Sequence, residues 1–404
     1  MARAFVLGVG VASALGTSHD TFREALLGGQ SAIAPVTGFA VDDCQSVLAG
    51  EITDFDPAAW VAPMKLRRLD RTGVYALAAA QLAIGDAGIH LAPGGHDDVG
   101  VVLGTWSAGG QSTQVYLDAL LRQGPSGAPA ILFDSTVGNS AASLVGLEYK
   151  LRGPNLTVTH KEASGLAALV TAVDHLREGR ARALFAGGVD AVFETFFKGH
   201  DRFGVMSHET RRSAACAPFD ATRAGFIIGE GGFGLWLSTE PATGTAPCYG
   251  EILGVAASST AVSVNQWPDS RAALTRTMRL ALQDAGLNAD DVHVVYASAN
   301  ASAALDRLEA AALAEVFGHA HPVVTSIKGA LGEFGAAGSA ACAAALLCGR
   351  VGRVPPIAGL TTPDDEAQGL GLALEAAEAP GPIVLVNSFA SGGALFSLVL
   401  RVAS

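Results

Sequence analysis

Short apolar runs alternate with longer amphipathic or alanine-rich stretches along most of the chain. The apolar runs predict buried strands at 4–9, 98–105, 183–189, 232–237, 249–256, 292–297, 323–327, 382–387 and 394–402. The longer stretches predict helices from near Ser18 or Asp20, over 70–88 and 111–122, after 164, over 270–285 and 305–317, and after Gly338. This alternation predicts a layered α/β fold.

The order of these elements in the second part of the chain repeats the order in the first part. No repeat is visible residue by residue, so the pattern indicates one fold duplicated at the level of its elements. Between the strand at 183–189 and residue 217 the sequence predicts a section rich in loops.

The most informative stretch is 157–166, where a short strand breaks at a polar turn and continues into an alanine-rich helix. Glu162 is at the tip of this turn. A strand, a tight turn and a helix N-terminus present the tip side chain where backbone N–H groups point outward, and enzymes of acyl chemistry place a nucleophile there. A carboxylate is a poor nucleophile for a thioester. The stretch therefore indicates either a different reaction or a site that has lost its reaction.

Composition excludes several classes of protein. Half of the 404 residues are hydrophobic and 16% are charged, which is typical of a well-packed globular chain and not of a disordered one. The formal net charge of −12 argues against nucleic acid or an acidic membrane surface as the main partner. The start of the chain lacks the pattern of a signal peptide, and no window of about 18 residues is continuously apolar. We therefore expect a cytoplasmic location.

Cofactor and metal signals are weak. The Gly-Val-Gly sequence at 8–10 lacks the third glycine and the later acidic residue of a dinucleotide site, so we expect no cofactor. The five cysteines are scattered without Cys-x-x-Cys spacing, so neither a disulfide framework nor a metal site is expected.

Several blocks together resemble the β-ketoacyl synthase family. They follow in order through the whole chain, at 8–16, 151–154, 163–165, 186–190, 218–231, 335–338 and 387–393. The resemblance implies an α/β fold of the thiolase type, with five layers α-β-α-β-α, two pseudo-repeated halves at 1–250 and 251–404 that form one structural unit, and an obligate dimer.

An active family member needs a cysteine at the tip of the turn in 157–166, which we call the elbow, and two histidines elsewhere. The resemblance locates all three positions in this chain. Glu162 takes the place of the cysteine, Ser298 or a neighbour that of the first histidine, and Glu333 that of the second, while Lys328 is retained. Without the cysteine the chain has no group to carry the acyl intermediate, and without the histidines it has none to transfer protons. The resemblance therefore implies that the chain has no catalytic residue. We do not expect His160, His293, His319 or His321 to replace them.

This combination resembles the chain length factor, the non-catalytic subunit of bacterial type II polyketide synthases. That resemblance implies two partners, a ketosynthase α subunit in a heterodimer and an acyl carrier protein with a phosphopantetheine-bound chain. The subunit would shape the acyl tunnel and so set the length of an aromatic or polyene polyketide. By itself the 111–122 segment is typical of an ordinary surface helix. The resemblance places a tunnel gate on it, at Gln111, Gln114, Val115 and Asp118.

Two alternatives stay open. The chain could be a stand-alone enzyme in which Glu162 promotes decarboxylation of a malonyl thioester. It could also be a purely structural pseudoenzyme that stabilises a partner without influence on the product. In every interpretation that needs a partner, we expect the chain alone to be poorly soluble or inactive, since the family's dimer interface is large and apolar.

Overall fold

The computed structural model describes residues 3–210, 216–242 and 248–403. Its strands are β1 Ala4–Ser13, β2 Ala34–Pro35, β3 Leu48–Ala49, β4 Val99–Gly104, β5 Asn155–Val158, β6 Ala183–Asp190, β7 Gly231–Ser238, β8 Gly250–Ser259, β9 Val294–Tyr296, β10 Val323–Thr325, β11 Arg353–Val354, β12 Gly371–Leu372, β13 Ala377–Glu378, β14 Ile383–Phe389 and β15 Ala394–Val402. Its helices are α1 His19–Leu27, α2 Pro63–Leu66, α3 Arg71–Asp86, α4 Gly110–Gln123, α5 Ser140–Glu148, α6 Ser164–Arg177, α7 Glu194–Arg202, α8 Ala272–Ala285, α9 Ala303–Phe317, α10 Lys328–Leu331 and α11 Ala337–Gly349.

The strand pairing occurs twice in the same pattern. In the described residues, an 11-stranded sheet has the order β12-β10-β9-β14-β15-β8-β1-β7-β6-β4-β5. From β1 outward, β7 and β6 add antiparallel, and β4 and β5 add parallel. From β8 outward, β15 and β14 add antiparallel, and β9 and β10 add parallel. The short antiparallel pair of β1 with β8 joins the two copies, so the predicted duplication of the element order is confirmed.

Three hydrophobic clusters fill the spaces between five layers, and the central cluster contacts both sides of the middle layer. Helices α6 and α11 lie in the middle, between the inner faces of the two copies. Helices α3 and α5 cover the outer face of the first copy, and α8 and α9 cover that of the second. Side chains alternate between clusters along each strand, as in β7, where Leu235 and Leu237 face the middle layer and Trp236 faces α3. The chain therefore has the expected thiolase-type α-β-α-β-α fold.

The two central helices start very close together. The N–H of Gly165 donates to the carbonyl oxygen of Gly335 at 2.7 Å. A Cβ atom at Gly338 would lie 2.7 Å from the Cβ of Leu166, and one at Gly188 would lie 2.8 Å from the backbone of the segment that leads into α11. Glycine is required at these positions because any side chain would force the helices apart. Their packing brings the turns before α6 and α11 to one place in the molecule.

Most elements predicted from the sequence agree with the structure to within a few residues. The interpretation of the section up to 217 as loops is wrong for α7, which forms a helix from Glu194 to Arg202. Residues 211–215 of that section lie outside the described residues. The five cysteines are free. No helix in the described part of the chain is long and apolar enough to span a membrane. The division into halves at 1–250 and 251–404 stays a proposal.

Candidate functional site

The turn between β5 and α6 is a sharp, internally bonded elbow. Lys161, one residue before its tip, has a φ of 51°, a left-handed conformation that lysine rarely adopts. The hydroxyl of Ser164 accepts from the N–H of His160 at 2.9 Å and donates to the carbonyl of Lys161 at 2.7 Å. These bonds hold the strained turn, and Glu162 at its tip is only 4% exposed.

Glu162 sits in a small polar network. Its Oε1 accepts from the hydroxyl of Ser391 at 2.8 Å and lies 3.8 Å from Nζ of Lys161. That ammonium donates to the Ser391 oxygen at 2.6 Å and also to the side-chain oxygen of Asn265. Oε2 of Glu162 has no hydrogen-bond partner among the described residues. Burial raises the pKa of Glu162, and the charge of Lys161 opposes that rise in part.

Ser298 and Glu333, the positions that the resemblance assigns to the two histidines, meet at a buried lysine. Nζ of Lys328 donates to the carbonyl oxygen of Ser298 and to Oε2 of Glu333, both at 2.7 Å. The side-chain amide of Asn300 donates to the same Glu333 oxygen at 2.7 Å. Burial raises the pKa of Glu333 to about 7, Lys328 opposes this, and the charge of Glu162 adds to it. The structure therefore brings Ser298 and Glu333 together around Lys328. Glu162 lies close enough for its charge to affect the pKa of Glu333.

Two further buried carboxylates hold the backbone around this lysine. Oε1 of Glu309 accepts from the N–H of Ser298 at 2.9 Å and from the side chain of Asn387 at 3.0 Å. Asp306 accepts from the N–H groups of Asn300 and Phe219. Burial raises the pKa of Glu309 to about 7 and that of Asp306 to about 6. These carboxylates fix the loop after β9 and so position the site.

A pocket of about 340 Å³ opens above Glu162. Trp106 and His200 form part of its wall. Nδ1 of His200 donates to a backbone carbonyl of α7 at 2.7 Å, and burial lowers the pKa of this histidine. The neighbouring His160 packs its ring against Phe396, at 5.2 Å between centroids, and not against Glu162.

One cysteine among the described residues lies next to this site. Cys216 is the cysteine that contacts the site, through the carbonyl oxygens of Asn300 and Lys328. It is fully buried, and burial raises the pKa of its thiol to about 12, so it is protonated at neutral pH. In the described ranges, no group of three or more His, Cys, Asp or Glu residues could hold a metal ion.

The four proposed gate residues divide into two kinds. Gln111 and Gln114 are anchors, because their side-chain oxygens accept from the N–H of Arg71 at 3.1 Å and of Thr195 at 3.0 Å respectively. Val115 is 47% exposed, and Asp118 is paired with an arginine one turn further along α4.

Three of these residues line one groove between α4 and α7, with a volume of about 1120 Å³. They are Gln114, Val115 and Asp118, whereas Gln111 is outside it. The groove is separated from the pocket of Glu162 by Phe196, whose ring contacts those of Trp106 and His200. Whether α4 forms a gate stays a prediction.

Several residues of the site were missed by the sequence analysis. Lys161, Asn265, Ser391, Asn300 and His200 belong to no local motif that predicts their contacts. Ser391 lies in the glycine-rich block at 387–393, which was informative for the family but not for this role. Its contact with the elbow spans more than half of the chain.

Comparisons with known proteins agree with this geometry. The family described as Beta-ketoacyl synthase, N-terminal domain matches residues 1–241, and the family described as Beta-ketoacyl synthase, C-terminal domain matches residues 249–361. The chain belongs to the β-ketoacyl synthase family.

Relatives include both fatty-acid and polyketide proteins. The 3-oxoacyl-[acyl-carrier-protein] synthase 2 of Coxiella burnetii is 30% identical, over 98% of this chain and 98% of the relative. The tetracenomycin polyketide synthase ketoacyl synthase beta subunit of Streptomyces glaucescens is 32% identical, over 98% of this chain and 97% of the relative. The solved structure titled "The ishigamide ketosynthase/chain length factor" superposes with a TM-score of 0.90 at 29% identity, covering 100% of this chain and 99% of the other. The protein is thus ketosynthase-like and similar to subunits of type II polyketide synthases.

We predict that Glu309 makes folding stability depend on pH. Its pKa rises from the ordinary value of 4.5 to about 7 on folding, so it stabilises the fold below about pH 4.5 and this contribution is lost as the pH rises through 7. The free energy of unfolding in urea should therefore decrease between pH 5.5 and pH 8.0 in the wild type. In Glu309→Gln this decrease should be smaller by about 2 kcal/mol.

The matched control is Glu315→Gln, on the solvent side of the same helix, which should keep the wild-type pH dependence. An unchanged pH dependence in Glu309→Gln would mean that this carboxyl is already ionised at pH 5.5.

Proposed function

We propose that the chain is a non-catalytic chain length factor, which pairs with a ketosynthase α subunit and shapes the tunnel for the growing acyl chain. The proposal rests on Glu162, Ser298 and Glu333, which stand where the family resemblance expects a cysteine and two histidines. Glu162 lies at the tip of the elbow. Ser298 and Glu333 both contact the buried Lys328, and the ammonium of this lysine pairs with the carboxylate of Glu333. Decarboxylative condensation on an acyl carrier protein needs a thiolate to hold the chain and imidazoles to assist. The reaction would therefore take place on the partner.

An exposed apolar surface supports the need for a partner. Seven large hydrophobic side chains that are exposed in the described structure lie between residues 115 and 147, on α4, the 3-10 turn 130–135, the loop that follows it and α5. Leu121 is 83% exposed and Leu147 is 78% exposed. A concentration of this kind in one segment is typical of a protein interface and not of a monomer surface.

Strand β5, which follows α5 in the sequence, offers an open backbone edge. It is the last strand of the sheet order and pairs with β4 on one side, so its other edge is open in the described chain. Open edges readily accept a strand from another protein. The segment 110–158 thus combines an apolar surface with an open strand edge. We propose that it is the surface that binds the ketosynthase α subunit.

The heterodimer is tested by co-expression with a ketosynthase that retains the cysteine and both histidines. We predict that Leu121→Asp and Leu147→Asp reduce its co-purification at least tenfold, because each places a charge in an apolar interface. Both side chains are exposed in the chain alone, so its fold should not change.

The matched control is Leu374→Asp, which changes a leucine that is 51% exposed in the other half of the chain. If the wild type does not bind such a ketosynthase, or is a well-behaved monomer at micromolar concentration, the proposal is wrong.

The groove between α4 and α7 is the part of this chain that we assign to length control. Gly110 starts α4 where a Cβ atom would lie 2.4 Å from the ring of Phe193, so α4 can pack closely against the segment before α7. Gln114 ties α4 to Thr195 of α7. Val115 has no such tie, so its size can change the groove without loss of an anchor.

We predict that the size of residue 115 sets product length in the heterodimer. Val115→Phe should shift products to fewer extensions and Val115→Ala to more, because the side chain projects from α4 into the groove. The measurement is the length distribution of products, or of chains trapped on the partner's cysteine. Gln123→Phe at the exposed end of α4 is the control, since it does not line the groove.

Val115 also belongs to the apolar surface assigned to the partner, but both substitutions keep residue 115 apolar, so the heterodimer should still form, in contrast to Leu121→Asp. Normal heterodimers with an unaltered product distribution would favour the purely structural role, in which the chain only stabilises its partner.

One observation favours a second candidate, a stand-alone malonyl-thioester decarboxylase. Burial raises the pKa of Glu162, and its Oε2 has no hydrogen-bond partner among the described residues in a side chain that lines a pocket. A neutral carboxylic acid there could donate a hydrogen bond to a thioester carbonyl and protonate the enolate after the carbon–carbon bond breaks and CO₂ leaves.

The measurement is CO₂ release from malonyl acyl carrier protein by the isolated chain. The chain length factor role predicts no turnover above background for the wild type and for Glu162→Gln alike. Turnover that falls at least 100-fold in Glu162→Gln would support the decarboxylase instead.

A further inference from the structure

A second cavity, of about 400 Å³, lies at the other end of the strands from Glu162. It is located where β9 and β14 begin and α11 ends, and Val294 and Val384 belong to its wall. Ser298, by contrast, follows the carboxyl end of β9, about 13 Å away along the strand. None of the residues discussed for the family site lines this cavity, which we call the basal pocket.

The interior of the basal pocket is mainly apolar. The aliphatic part of its wall consists of Val294, Ala345, Val354, Ala379, Pro382, Val384 and Val402. Its volume is in the range of small-molecule sites, which usually combine apolar walls with a few polar groups that fix orientation. The wall therefore favours a hydrocarbon chain.

Tyr296 supplies one polar group within this wall. The residue is 2% exposed, and its hydroxyl forms no hydrogen bond with any residue that the structure describes. The hydroxyl oxygen is not fully enclosed by the described residues, so water or a bound molecule in the pocket can be its partner. An oxygen acceptor on a bound molecule would satisfy it.

Two arginines at the mouth supply positive charge. Arg350 lies with Cζ 4.6 Å from the ring centroid of Tyr249, and Arg353 is held by hydrogen bonds to the carbonyl oxygens of Ala376 and Ala377. Neither guanidinium forms an ion pair with a carboxylate within the described ranges, although Glu378 is the ladder partner of Arg353. The mouth is therefore suited to an anion.

The end of α11 does not oppose an anion there. The carbonyl oxygens of Leu346, Cys348 and Gly349 accept from the N–H groups of the turn at 350–352, at 2.9 to 3.1 Å. Because these N–H groups satisfy the carbonyls, the negative end of the helix dipole is partly neutralised at the mouth.

We propose that the basal pocket binds a medium-chain carboxylic acid that carries a carbonyl oxygen near its far end. The carboxylate lies between Arg350 and Arg353, the hydrocarbon chain follows the aliphatic wall, and the distal carbonyl accepts from the hydroxyl of Tyr296. This site is independent of the function proposed above, since it shares no residue with the elbow or with the groove.

Three probes of equal chain length separate the parts of this proposal. They are 7-oxooctanoate, octanoate without the ketone, and 2-octanone without the carboxylate, each titrated calorimetrically into the full chain at low salt. The wild type should bind 7-oxooctanoate about fivefold more tightly than either of the other two, and added salt should remove its advantage over 2-octanone.

Single substitutions assign each preference to a residue. Tyr296→Phe should abolish the preference for 7-oxooctanoate over octanoate, and Arg350→Gln should reduce its preference over 2-octanone about fivefold. Ala379→Phe, which fills the half-buried edge of the pocket, should abolish binding of all three. Arg307→Gln, an exposed arginine paired elsewhere, should change none of these values.

Equal binding of the three probes by the wild type, or binding unaffected by Ala379→Phe in a chain with unchanged circular dichroism, would overturn the proposal.

Discussion

The close approach of the two central helices is the constraint on which the site depends. Gly165 and Gly338 let α6 and α11 start almost in contact, and the hydrogen bond from Gly165 to Gly335 joins the turns before them. This packing fixes where Glu162 and Glu333 lie, whatever their side chains are. The fold can therefore hold the backbone at these two positions in one arrangement with different side chains on it.

Electrostatics explains how carboxylates are tolerated at these buried positions. Buried carboxylates are costly unless they are paired or hydrogen-bonded, and Glu333 is both, through Lys328 and Asn300. Glu162 is less well satisfied, with Ser391 as its hydrogen-bond donor and the ammonium of Lys161 nearby. The site thus holds two separate polar networks, one of Glu162 with Ser391 and Lys161 and the other of Glu333 with Lys328 and Asn300.

Local pattern predicted the scaffold better than the site. Continuous apolar runs and alanine-rich segments determine the central strands and helices, so β1, α3 and α6 were evident from the sequence. Helix α7 was not, because Phe196, Phe197 and His200 give it an aromatic character without the aliphatic periodicity of a buried helix. The contacts of Ser391 depend on tertiary packing, which no local pattern encodes.

The central position of β1 has a consequence for how the chain is made. Val6, Val9 and Val11 of this strand are completely buried, but its neighbours β7 and β8 start only at Gly231 and Gly250. More than 200 residues must therefore leave the ribosome before the first strand can pair. Pairings of such long range form slowly, and an apolar strand that waits for them is prone to aggregate. We expect the nascent N-terminus to depend on chaperones until β7 has been synthesised.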